Sequence, residues 1–218
     1  MIKVGLSGNR YSGKDRIAKL FEQIGIPVFH ADIVLKFILN YNYEVQGLIA
    51  DKIGRSYFTD GILNIDKVKS GGVFDKVVDV ASSDLLKAFE KFMSKNTESI
   101  YCVFHSSILF ERGWDKTMDY NVNVFSPTND RMERCKFLTG KTVSSIYNLS
   151  QTEIDDLEKN RKSDFVVHNY NEENPALGDI LSQVSNIDQK VIDDYLELER
   201  KMGRQLTPDG KGIILSHY

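Results

Sequence analysis

The residues with the clearest chemical potential lie near the start of the chain, in "LSGNRYSGKDRIAKLF". Gly8, Gly13 and Lys14 meet the spacing Gly-x-x-x-x-Gly-Lys, and the loop between them is Asn9, Arg10, Tyr11 and Ser12. Such a spacing suits phosphate binding: backbone N–H groups surround the anion, a helix N-terminus adds partial positive charge, and the lysine reaches the β/γ-phosphates as a point charge. Two features depart from the usual form. Asn9, Arg10 and Tyr11 are bulky; Asn tolerates positive φ, whereas Tyr does so at a cost. The position after Lys14, where a Ser or Thr hydroxyl would ligate Mg²⁺, holds Asp15. A carboxylate is also a hard oxygen ligand, so Asp15 is a candidate metal ligand, directly or through one water.

Such a loop works only between a strand and a helix, and the chain supplies both. "IKVGL" precedes it as a short β-like run. After it, Ile17, Leu20, Phe21 and Ile24 recur at i, i+3, i+4 and i+7, with Gly25 where a helix C-cap belongs. Four further runs read as strands: "IPVFH", "IYCVFHS", "YNVNVFS" and "DFVVHN". "DLLKAFEKFMSKN" repeats the helical pattern through Leu85, Leu86, Phe89, Phe92 and Met93, and "QKVIDDYLELERKMG" gives another helix near the end. Strands alternating with helices predict an α/β fold, a mainly parallel five-stranded sheet covered on both faces. Residues 41–98 carry no comparable buried strand and read as a mostly helical insertion with a small turn at "TDGILN". The expected layout is a core of 1–40 and 99–184, that insertion, and a C-terminal helix and tail over 185–218.

The 218 residues, 41% of them hydrophobic, suffice for one α/β core with an insertion, and a formal charge of −3 gives no basic excess for sequence-independent nucleic-acid binding. No apolar run has membrane-spanning length, and Met1 leads straight into the first β-run, so the expectation is a cytoplasmic protein without a signal peptide. Cys102 and Cys135 lack the spacing of a zinc site; Cys102, inside "IYCVF", reads as a small core residue.

"VGLSGNRYSGKDRIAKLFEQIGIPVFHAD" resembles the opening of dephospho-CoA kinases. The likeness continues in order through "GILNIDKVKSGGVFD", "SSILFERGWDK", "DRMERCKFLTG" and "KSDFVVHN", over roughly residues 1–184. The resemblance implies a P-loop kinase fold with a lid near 138–160 and an acceptor-binding region in 41–98. It also implies ATP and Mg²⁺ as cofactors and a small nucleotide-like acceptor as partner. Carried over by position, Lys14 holds phosphates, Asp32 stands beside the acceptor hydroxyl and near the metal, Arg134 stabilises the transferring phosphoryl charge, and Asn169 lies near the base. Asp32 also fits on physical grounds, since a carboxylate at a strand's C-terminal end beside the loop can accept a proton or hold Mg²⁺ through water; the lesser alternative, compatible with the first, is an N-cap for the helix "IVLKFIL".

The chain departs from the family at several points. His30 replaces the Asp that precedes Ala, Leu138 replaces a second lid Arg, and "HSSILF" replaces a Pro-containing turn. His30 and His105 both fall at strand ends near the loop. "SGKD" itself is similar to bacteriophage-type deoxynucleoside monophosphate kinases, so a nucleoside monophosphate acceptor is an alternative. A nucleotide-binding regulator with impaired catalysis is another, suggested by Asp15 and Leu138.

Overall fold

The computed structural model describes residues 1–140, 154–171 and 179–203. Its centre is a five-stranded sheet in the order β2-β5-β1-β6-β7, parallel throughout. These strands are β1 (Ile2–Ser7), β2 (Val28–His30), β5 (Tyr101–His105), β6 (Tyr120–Phe125) and β7 (Phe165–His168), the five runs expected from sequence. A two-stranded hairpin, β3 (Phe58–Thr59) and β4 (Ile62–Leu63), forms at "TDGILN". The helices are α1 (Lys14–Gln23), α2 (Ala31–Tyr41), α3 (Tyr43–Lys52), α4 (Ile65–Ser70), α5 (Phe74–Met93), α6 (Thr128–Thr139), α7 (Asp156–Lys162) and α8 (Ile180–Lys201). Most of the expected lid, 141–153, and the tail beyond 203 lie outside the described residues.

Both faces of the sheet are buried, and the pleat sorts its side chains. Along β5, Cys102 and Phe104 enter one hydrophobic cluster while Tyr101 and Val103 enter the other. The first cluster includes Leu35 and Leu39 of α2 and Val78, Leu85 and Phe89 of α5; the second includes Ile17 and Phe21 of α1 and Val184, Ile187 and Val191 of α8. Phe29, Phe89 and Phe104 pack together at centroid distances of 5.0–5.6 Å, so α5 is seated directly on the sheet. Cys102 and Cys135 are free and buried.

The end of α1 follows local chemistry. Gly25 takes φ 89°, Gly25 N–H donates to the Glu22 carbonyl and Ile26 N–H to the Phe21 carbonyl, the paired bonds of a Schellman motif. Two helices run further than their sequence pattern suggests. α5 begins at Phe74, ten residues before Asp84, because Val77, Val78 and Ala81 extend the buried face in a segment whose Val and Ser content masks it. α8 begins at Ile180, capped by the Asp179 side chain, which accepts from Ser182 N–H at 2.7 Å.

Candidate active site

In a parallel sheet every strand delivers its C-terminal end to the same edge. The chain occupies the β2–β5 side of central β1 first and the β6–β7 side afterwards, so the loop after β1 opens at a topological switch point. Residues 8–13 form that loop, and α1 starts at Lys14. Gly13 takes φ 91°, and a Cβ there would collide with the Asn169 amide. At Gly8 a Cβ would stand 2.5 Å from Ser12 Oγ and 2.7 Å from the Val124 carbonyl. Both glycines are therefore required by close approach. Asn9 does not take the left-handed conformation; Tyr11 does, at φ 62°, a strain of about 1–2 kcal/mol for an L-residue. The Tyr11 phenol contacts Cys135, which together with burial pushes its pKa up.

On the β6–β7 side the loop is tied down from behind. Arg134 of α6 donates from Nη1 to the carbonyls of Tyr11 (3.1 Å) and Ser12 (3.1 Å) and to Ser126 Oγ (3.0 Å). Its Nη2 donates to the Asn169 carbonyl (2.8 Å) and its Nε to Asn171 Oδ1 (2.9 Å). Asn169, just after β7, donates from Nδ2 to the Ser12 carbonyl at 2.6 Å. Arg134 and Asn169, far apart in sequence, thus meet at the loop backbone. Sequence reading missed a second tie. Arg131, 6% exposed, bonds Asp156 Oδ2 (3.2 Å), and Asp156 Oδ1 accepts from Asn9 Nδ2 at 2.8 Å. The signal available was spacing alone, since Arg131 and Arg134 are i, i+3 on one helix.

The β2–β5 side differs. Asp32 lies in the first turn of α2, two residues past β2. It does not cap that helix, whose N-cap is His30 with no side-chain cap bond. Instead its carboxylate accepts from Ser106 Oγ (3.0 Å) and from Ser107 N–H (3.0 Å to Oδ2, 3.3 Å to Oδ1) in the loop after β5. Oδ1 accepts two of these contacts and Oδ2 one, which leaves Oδ2 a lone pair for a hydroxyl, a water or a cation. His30 and His105, paired in register across β2 and β5, face each other with their Nδ1 atoms 3.2 Å apart. His30 Nε2 contacts Glu22 Oε1 at 2.9 Å, and His105 Nε2 lies 3.3 Å from Asp15 Oδ1. Burial pushes His105 down to about 4, with Lys14 and His30 acting in the same direction and Asp15 and Asp32 opposing. Lys14 is 8% exposed, while the Asp15 side chain is 77% exposed.

Several buried polar atoms at this edge have no hydrogen-bond partner: Ser7 Oγ, Ser12 Oγ, Asn9 Oδ1 and His105 Nε2. Buried polar groups are normally satisfied, so this concentration marks a place suited to a polar ligand. Among the described residues no group of three or more His, Cys, Asp or Glu side chains could hold a metal ion by itself, and no helix is long and apolar enough to cross a membrane.

A five-stranded parallel sheet with a Gly-x-x-x-x-Gly-Lys loop between its central strand and the next helix defines a P-loop kinase fold, and the chain is a phosphotransferase of that class. The family model described as dephospho-CoA kinase matches residues 2–174, and the chain belongs to that family. It is 25% identical over 195 residues to a dephospho-CoA kinase of Bacteroides fragilis, covering 87% of this chain and 95% of that one. A dephospho-CoA kinase of Porphyromonas gingivalis is 28% identical over 151 residues, covering 67% and 74%. Among solved structures, TT1252 from Thermus thermophilus superposes with a TM-score of 0.69 at 20% identity, covering 88% of this chain and 97% of that one. A dephospho-CoA kinase from Campylobacter jejuni gives 0.56 at 14% identity, covering 87% and 96%. The latter two likenesses bear on the fold. Family membership implies use of ATP.

Proposed function

We propose that the chain transfers the γ-phosphoryl group of ATP to a hydroxyl of dephospho-CoA. The observation that carries this reading is the Asp32 carboxylate, held by Ser106 and Ser107 at the same sheet edge as the phosphate loop. Family membership over residues 2–174 supports the acceptor. In this reading the N–H groups of residues 8–13 and Lys14 hold the triphosphate, and Asp32 accepts the proton of the attacking hydroxyl. The in-line transfer needs little covalent chemistry from the protein. Arg134 fixes the loop carbonyls so that the N–H groups face outward, and its charge helps offset that building on the transferring group. Asn169 supports the loop beside the base. Mg²⁺, when bound, neutralises phosphate charge; Asp15 and Asp32 are the residues to hold it, with phosphate oxygens and water completing its shell, as suits a site with few protein ligands. Residues 41–98 would bind the acceptor, and the lid would close over the nucleotide from 138–160. The buried, unpaired cysteines accord with a cytoplasmic setting.

The test is ADP release, with mass spectrometry of the product, against a panel of dephospho-CoA and the deoxynucleoside monophosphates. Turnover and a mass gain of one phosphoryl group are expected with dephospho-CoA. Turnover on a deoxynucleoside monophosphate alone would assign the acceptor to the alternative that "SGKD" suggests, and turnover on none would favour a regulator.

A further inference from the structure

Glu22, His30, His105 and Asp15 form one contact series at the sheet edge. Glu22 Oε1 can only accept as a carboxylate, so His30 Nε2, 2.9 Å away, carries its proton. The two rings meet through their Nδ1 atoms, 3.2 Å apart, so His105 turns its Nε2 the other way, towards Asp15. That ring is 4% exposed, its Nε2 has no hydrogen-bond partner, and Asp15 Oδ1 lies 3.3 Å from it.

The pair does not meet hydrogen-bond geometry although the distance would allow it. Two ligand atoms that converge on a third body behave this way. Adjacent ligands of a divalent ion, with bonds of about 2.0–2.2 Å at right angles, stand about 3 Å apart. Lys14, His30 and Asp32 are the other charged or titratable groups acting on His105, and Asp32 adds a second carboxylate on the same flank.

We propose that His105 Nε2 and Asp15 Oδ1 together ligate the divalent cation that accompanies the nucleotide. The inference rests on the metal-nucleotide reading given under the proposed function and specifies its coordination. Asp15 replaces the usual hydroxyl, His105 adds a nitrogen, and His30 is a positioning residue that fixes the His105 tautomer through Glu22. A nitrogen donor changes metal preference. Mg²⁺ favours an all-oxygen shell, whereas imidazole suits Zn²⁺, Fe²⁺ and Ni²⁺. The nucleotide complex should therefore take Zn²⁺ at least ~10-fold more tightly relative to Mg²⁺ than the His105→Gln variant does.

The test is pulsed electron paramagnetic resonance of Mn²⁺·ATP bound to protein carrying ¹⁵N-histidine. Couplings to ³¹P report the nucleotide, and a coupling to ¹⁵N reports a histidine ligand without confusion with adenine nitrogen. Both couplings are expected in the wild-type protein and in His30→Gln; ³¹P alone is expected in His105→Gln. Wild-type ³¹P coupling without ¹⁵N coupling would overturn the assignment and leave the kinase reading standing. Absence of both would overturn the metal-nucleotide reading and this inference with it. A ¹⁵N coupling that survives in His105→Gln would assign the ligand to another histidine. The labelled wild-type measurement decides the matter even if the variants fold poorly.

Discussion

The two flanks of the phosphate loop are built to different standards of completeness. On the β6–β7 flank Arg134 reaches five acceptors and Asn169 holds the Ser12 carbonyl at 2.6 Å. That flank ties the loop backbone to α6 and the end of β7 without any ligand, although Ser12 Oγ and Asn9 Oδ1 in the loop have no partner. On the β2–β5 flank His105 Nε2 is buried without a partner and Asp15 projects with 77% of its side chain exposed. One flank fixes the loop backbone through many bonds, and the other presents a buried ring nitrogen and an exposed carboxylate at the sheet edge.

Substitutions separate the two kinds of flank. The largest effect is expected for Asp32→Asn, which should lower turnover on the true acceptor by roughly 10²-fold or more with ATP affinity little changed. Turnover near the wild-type value would reduce Asp32 to a tie between α2 and the loop after β5. Next is Lys14→Ala, which removes a charged contact to phosphate worth about 1.5–3 kcal/mol and should weaken ATP binding about 10- to 100-fold by calorimetry. Equal affinity in the two proteins would remove the phosphate-loop reading.

Arg134→Lys tests the tied flank. A lysine cannot span five acceptors, so about 2–3 kcal/mol of stability should go, lowering Tm by roughly 5–10 °C even without nucleotide. Turnover at saturating ATP should fall as well. An unchanged Tm would mean that the loop holds its shape without this guanidinium. Asp15→Asn tests the open flank and should move Tm by less than about 2 °C, because the side chain is mostly exposed. Its effect should appear only with ligands. At ~5 Å and an effective dielectric near 20, a carboxylate opposes each unit of phosphate charge by about 3 kcal/mol. The variant should therefore bind metal-free ATP in EDTA more tightly and Mg·ATP more weakly, and equal affinities in both conditions would make Asp15 a bystander. The smallest effect on ligand binding is expected for Asn9→Ala, which unties the loop from Asp156. It should cost about 1 kcal/mol of stability, a Tm shift of a few degrees, and no loss there would show the Arg131–Asp156 pair to be sufficient.

The five sheet strands and the phosphate loop were legible in the chain itself because their signals are local. Apolar runs of strand length, a 3.6-residue stripe after the loop and Gly25 past its end are all read within a dozen residues. Resemblance over 1–184 then named the family that the residue 2–174 match bears out. The early part of α5 was hidden by Val and Ser residues whose helical state is decided by burial against the sheet rather than by propensity. Asp32 could be placed near the loop, yet whether it capped α2 or reached elsewhere depended on Ser106 and Ser107, more than 70 residues away.

The sequence by itself determined the α/β class, the loop that opens at the sheet edge and the oddity of Asp15, because periodicity and glycine spacing act over short distances. Tertiary structure alone decided how that oddity is answered. The parallel register of β2 and β5 sets His30 opposite His105, and α1 carries Asp15 to within 3.3 Å of the buried ring. Seventy-five residues separate the two histidines. No local rule couples residues that far apart; hydrogen-bond register across a sheet does, because it fixes which side chains share an edge.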